Sequence, residues 1–119
     1  MDRRQIGILG EVEAARYYRA LGYELVAANF RTRQGEIDLI AEKNSCLVFI
    51  EVKTRTEGSL IEAKEAVTRT KQRKLIAAAG AYLSSLLCEP KNIRFDVVEV
   101  YHRMGAVTRV SCIENAFGE

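Results

Sequence analysis

Two short apolar runs constrain this chain more than any other feature. Ile37-Asp38-Leu39-Ile40 and Phe49-Ile50-Glu51-Val52 both read as strands, and one acid breaks each of them. A central strand tolerates a buried carboxylate only when a cation, metal or hydrogen-bond partner answers it. Lys43-Asn44-Ser45-Cys46 supplies a turn between the two runs. If that turn centres on Asn44-Ser45, Asp38 faces Glu51 and Glu36 faces Lys53 across the strand pair. Directly opposed residues share a face, with Cβ atoms about 4.5–5.5 Å apart. Alternation then groups Glu36, Asp38 and Ile40 on one strand, and Leu47, Phe49, Glu51 and Lys53 on the other. Asp38, Glu51 and Lys53 are therefore expected to converge. Two carboxylates that close repel unless a proton or cation lies between them. Lys53 fills that role in a structural ion pair; Mg²⁺ or Mn²⁺, which prefer oxygen ligands, fill it in a metal site. A solvated sheet face is the third reading, and these residues alone leave all three open.

The rest of the chain supports one domain, residues 1–119. Residues 6–21 read as a helix with Ile8, Val12 and Ala15 inward, Leu9 and Tyr18 widening the stripe, and Gly22 as its stop. Strands follow at 24–30, 36–42 and 47–53. Residues 60–67 fit a short helix or irregular chain equally. Thr68 is placed to cap a long helix over 69–87, with Leu75, Ile76, Ala79, Tyr82, Leu83, Leu86 and Leu87 inward and Pro90 helping to end it. Strands at 92–101 and 107–113 flank a turn at Met104-Gly105-Ala106. The order α-β-β-β-α-β-β predicts an α/β fold, a central mixed β-sheet flanked by helices.

Composition narrows the function classes. Apolar residues make up 48% and charged residues 29%, a globular balance, and the net charge of +2 is too small for an electrostatic coat on nucleic acid. The longest uncharged run, residues 75–88, is too short to span a bilayer, and residues 6–10 are too short a run for a signal peptide, so no membrane role is expected. Three scattered cysteines, Cys46, Cys88 and Cys112, point to a reducing, cytoplasmic setting and read as small buried hydrophobes. His102 is the single histidine, which leaves no zinc site of paired histidines and no local signature of a catalytic triad. Any catalysis must fall to carboxylates and lysines.

Four further features stand out. Arg69, Lys71, Arg73 and Lys74 crowd the start of the long helix, and residues 53–74 carry seven basic against three acidic side chains. That suits a phosphate footprint, extended by Arg31, Arg33 and Arg55, or an ordinary solvated helix start. Gln72 lies one turn before Leu75 and Ile76, where a polar side chain needs a partner. Asp96 interrupts a strand as Asp38 does, and shares a face with Arg94, an ion-pair partner. The tyrosines Tyr17, Tyr18, Tyr23 and Tyr82 suit the core edge better than base stacking. His102 suits a surface or strand end.

Asp38, twelve residues, then Glu51-Val52-Lys53 resembles the PD-(D/E)-x-K arrangement of restriction-endonuclease-like nucleases, with Ile37 where proline is usual. A wider set runs in order along the chain: Gly10-Glu11-x-x-Ala14-Ala15, Asn29-Phe30-Arg31, Gly35-Glu36-Ile37-Asp38-Leu39-Ile40, Val48 to Arg55, Glu65-Ala66-Val67, Lys71-Gln72-Arg73-Lys74 and Arg94-Phe95-Asp96-Val97-Val98. Together these resemble the small bacterial YraN-like family, grouped with nucleases and Holliday-junction resolvases. The resemblance implies a single restriction-endonuclease-like domain and a metal-dependent endonuclease acting on DNA, branched DNA included. It implies Mg²⁺ or Mn²⁺ held by Asp38, Glu51 and the Val52 carbonyl, with Lys53 orienting water or stabilising the transition state. Glu11 would join as a ligand, directly or through water, unless it is a solvated helix glutamate; Gln72 would lie near the metal. Symmetric cutting by a resolvase would require a homodimer, though no interface is legible. The alternatives are a nucleic-acid-binding protein of the same fold without cleavage, and a protein-interaction domain with a structural ion network.

Overall fold

A computed structural model describes residues 1–58 and 67–118. Of the undecided stretch 60–67, all but Val67 lies outside the described residues. The elements are α1 (Arg3–Ala20), β1 (Glu24–Arg31), β2 (Glu36–Lys43), β3 (Cys46–Thr56), α2 (Arg69–Ser84), β4 (Asn92–Arg103) and β5 (Ala106–Phe117). The expected order holds. The five strands lie in the order β1-β2-β3-β4-β5. Only β3 and β4 run parallel, because α2 carries the chain between them; every other neighbouring pair is antiparallel.

Local chemistry explains the boundaries. Asp2 caps α1 by accepting from the Gln5 N–H at 2.9 Å while Gln5 returns the bond at 3.0 Å, so the helix starts three residues before the expected Ile6. Its end is a Schellman turn. Gly22, at φ +92°, donates to the Arg19 carbonyl, and Tyr23 donates to that of Tyr18. Asn44 and Ser45 both take positive φ (51° and 62°), the tight hairpin geometry that twists with its strands. The register is the expected one, from Lys43 opposite Cys46 to Leu39 opposite Ile50. Thr68 caps α2 through the Lys71 N–H. That helix stops at Ser84, short of the expected 87, and Leu87 stands fully in solvent, outside the stripe assigned to it.

Helices cover both faces of the sheet. Beneath α1 lie Leu39, Ala41, Val48, Ile50, Val98 and Val100. Beneath α2 lie Ile37, Ile40, Leu47, Phe49 and Phe95. The buried face of α1 is Gly10, Ala14, Ala15 and Tyr18, while Ile8 and Val12, expected inward, stay 52% and 45% exposed. The cause is close approach: a Cβ on Gly10 would sit 2.2 Å from Thr54 Oγ1. Small residues let the helix lie down on β3, and the larger aliphatics are rotated out. His102 lies at the end of β4 as expected but is buried, its Nδ1 accepting from the Gly105 N–H at 3.3 Å. Cys46 and Cys112 are half-buried and Cys88 is exposed, against the buried role expected of all three. Among the described residues no helix is long and apolar enough to cross a membrane.

Candidate functional site

The β2–β3 ladder ends one step short of Asp38. Leu39 still pairs with Ile50, but the Val52 N–H turns to the Asp38 carboxylate, Oδ2 accepting at 2.7 Å. Ile37 and Ile40, three residues apart, both lie beneath α2, so strict alternation also breaks here. A side chain has replaced a ladder carbonyl at the point where the strands part. Asp38 is held against the backbone of β3, beside Glu51.

Glu51 is buried at 7% exposure, and two ammonium groups meet on its Oε1: Lys71 Nζ at 2.7 Å and Lys53 Nζ at 3.4 Å. Asp38 forms no ion pair among the described residues. Burial first, then the negative charges of Glu51 and Glu11, push its pKa up to about 7, although the Val52 N–H works against the shift. Burial, together with the neighbouring Lys71, lowers Lys53. Burial, the largest single influence, would lower Lys71 as well, but its hydrogen bonds to Glu51 and Lys53 and the negative charges of Glu51 and Asp38 together outweigh it and leave it raised. The cluster thus holds an acid that changes charge near neutrality, a second acid neutralised by lysines, and an amine less basic than usual.

Asp38, Glu51 and Lys53 do converge. Glu11 is close enough to act on Asp38 through its charge, but its Oε1 accepts from Asn29 Nδ2 at 3.2 Å. Gln72 is not brought to this cluster: its amide donates to the Val67 carbonyl, and it lies with Arg69, Arg73 and Ile76 on another flank of α2. Successive helical residues are about 100° apart, so only one of Lys71 and Gln72 can face Glu51. Lys71 does, in line with buried Leu75 four residues on. That spacing was visible in the sequence, and it marks Lys71 as a site residue as well as a phosphate-binding candidate. Glu36 pairs with Arg31 of β1 at 3.3 Å instead of facing Lys53. Arg55 is drawn into an ion pair with Glu99 at 3.1 Å, in which neither side chain is more than 11% exposed.

A cleft of about 460 Å³ opens beside Glu51. The turn from Arg31 to Glu36 forms one wall, and Lys71, Lys74 and Leu75 of α2 form the other. Gly35 makes the walls meet, since a Cβ there would lie 2.8 Å from the Lys74 carbonyl oxygen. Among the described residues no three acidic, imidazole or thiol side chains gather as a metal cluster. Asp38 and Glu51 are two hard carboxylates, and Mg²⁺ is commonly held by one or two carboxylates plus water and phosphate oxygens. The donors fit a divalent ion completed in that way.

Asp96 makes a different kind of site. Arg94 grips it with two hydrogen bonds of 2.8 Å, Tyr18 donates at 2.7 Å and the Asn115 N–H at 3.0 Å. The expected Arg94–Asp96 pair is present. The surrounding tyrosines pack edge to face, Tyr18 against both Tyr17 and Tyr23, as expected for the core and its edge.

Known sequences resolve the chain's kinship. Residues 10–100 match the model of "Uncharacterised protein family UPF0102". A UPF0102 protein of Symbiobacterium thermophilum is 47% identical over 114 residues, covering 96% of this chain and 97% of its own. Another, from Caldicellulosiruptor saccharolyticus, is 39% identical over 118 residues, covering 98% and 100%. The chain belongs to the UPF0102 family. This is the YraN family that the motif blocks resemble, and the mixed sheet flanked by helices is consistent with a restriction-endonuclease-like placement. In this UPF0102 chain the matched region takes in Glu11, Asp38, Glu51, Lys53 and Lys71, and so the whole cluster around Glu51.

Proposed function

We propose that this UPF0102 chain is a metal-dependent nuclease acting on DNA. The observation that carries the reading is Asp38, half-buried beside Glu51 and in no ion pair among the described residues, while Glu51 itself lines a basic cleft. A carboxylate pair of that kind favours a divalent cation, because the cation removes the repulsion that otherwise drives Asp38 to hold a proton. Asp38 and Glu51, with the Val52 carbonyl, would hold Mg²⁺ or Mn²⁺. Such an ion supplies charge neutralisation at phosphate and lowers the pKa of water. Lys53 would stabilise charge developing on phosphoryl oxygens, and Lys71 would bind a non-bridging oxygen once it leaves Glu51. Branched DNA is the proposed preferred form, for which paired cuts need a homodimer.

The test is incubation with linear, nicked and four-way DNA in Mg²⁺ or Mn²⁺, beside Asp38→Asn. The reading expects metal-dependent products from the wild type and none from the variant. One observation favours a second reading, binding without cleavage: Glu51 Oε1 is already engaged by two ammonium groups. Salt-dependent binding with no products in either metal would select it.

A further inference from the structure

The basic residues around α2 divide into two groups that the sequence runs together. Lys71 and Lys74, three apart on the helix, line the cleft beside Glu51. Arg69 and Arg73, four apart, lie on the flank with Gln72 and Ile76. The opposite wall of the cleft is a turn tied down by one side chain: Thr32 Oγ1 accepts from the Gln34 and Gly35 N–H groups at 3.1 and 3.2 Å and donates to the Gly35 carbonyl at 3.1 Å. That turn carries Arg33. Of the four cations lining the cleft, Arg31 is engaged by Glu36 and Lys71 by Glu51. Arg33 and Lys74, on opposite walls, form no ion pair among the described residues, and both are exposed.

Size decides what these two can hold. The cleft is about 460 Å³, on the scale of a small-molecule site. A duplex, whose major groove alone is about 12 Å wide, cannot enter it; one strand can. We infer that the cleft takes a single unpaired DNA strand, with Arg33 and Lys74 holding its phosphates on either side of Glu51. This rests on the reading of the cluster as a DNA-handling site. It adds that the substrate must offer an unpaired strand, at a fork, flap or open junction, and that Arg69 and Arg73 take no part in holding it.

The experiment is binding by fluorescence anisotropy in EDTA, with an oligothymidylate and a blunt hairpin duplex as probes, across a salt series. The oligothymidylate is expected to bind tighter than the blunt duplex. Arg33→Gln with Lys74→Gln should weaken that binding and flatten the slope of log affinity against log salt by about 1.4, two single-strand contacts at about 0.7 each. Arg69→Gln with Arg73→Gln should leave the slope unchanged. All four side chains are exposed, so both double variants should fold. Equal affinity for the two probes, a slope carried by Arg69 and Arg73, or no binding at all would overturn the inference. Cleavage with Mn²⁺ is read separately. Single-strand binding without products counts against the nuclease reading alone. Internal cutting of the blunt duplex that ignores Arg33 and Lys74 counts against this inference alone.

Discussion

Asp96 and Asp38 interrupt apolar strands in the same way, yet the folded chain treats them oppositely. Asp96 is fully buried and receives two bonds from Arg94, one from Tyr18 and one from the Asn115 backbone. Its charge is answered, and its guanidinium partner is held above its usual pKa, chiefly by that bond. Asp38 receives one backbone N–H, and the neighbouring charges of Glu51 and Glu11 raise its pKa. One carboxylate is a closed joint between α1, β4 and β5. The other has a single backbone bond, a like charge beside it and no ion pair among the described residues. A buried acid with every bond made contributes to structure; one beside a like charge, with its pKa raised, is a candidate for function.

The sharpest way to break this contrast is to remove each acid. Asp96→Asn replaces an acceptor with a donor facing Arg94 and Tyr18. It should cost about 3–5 kcal/mol in chemical denaturation, because it breaks an ion pair at a fully buried position and leaves the half-buried Arg94 uncompensated. Asp38→Asn keeps an oxygen for the Val52 N–H and should do the reverse. Asp38 has a folded pKa of about 7 against an ordinary 3.8, so the folded state binds the proton more tightly than the unfolded one. Its contribution is therefore favourable near pH 4 and is lost as pH rises through 7. By pH 8 the variant should be the more stable by ~3–4 kcal/mol, and the pH slope between 4 and 8 should flatten. A variant that melts lower than the wild type at pH 8 would place Asp38 among the structural acids.

Metal sharpens the comparison next. Mn²⁺ at a hundredfold excess over its Kd should stabilise the wild type by about 2.7 kcal/mol, since it binds only the folded site. Asp38→Asn should lose that gain, and a variant of the ion pair farther along β3, Arg55→Lys, should keep it. An equal Mn²⁺ response in the wild type and Asp38→Asn would put the ion elsewhere. The smallest effect belongs to Lys71→Gln. Its side chain is 41% exposed, so stability should change by no more than about 1 kcal/mol in the same denaturation assay, while DNA affinity falls.

Much of this is legible in the sequence. Asn44-Ser45 dictated the hairpin register, because a two-residue turn with both residues at positive φ admits one pairing, and that pairing placed Asp38 beside Glu51. Thr68 and Gly22 marked helix ends through bonds that depend only on near neighbours. The arginine two residues from Asp96 named its partner.

Tertiary structure decided what depends on distance between elements. Which face of α1 is buried turned on Gly10 meeting Thr54, a contact between residues far apart in sequence, and hydrophobicity alone chose Ile8 and Val12 instead. Lys71, rather than Gln72, reaches Glu51 because α2 is clamped at Gly35, which sets its rotation against the sheet. The difference between Asp38 and Asp96 is of the same kind. Alternation and local pairing are properties of one strand and its turn, so a sequence displays them. Whether a carboxylate is closed over or left open depends on which helix and which neighbouring strand reach it, and only the packed chain brings those together.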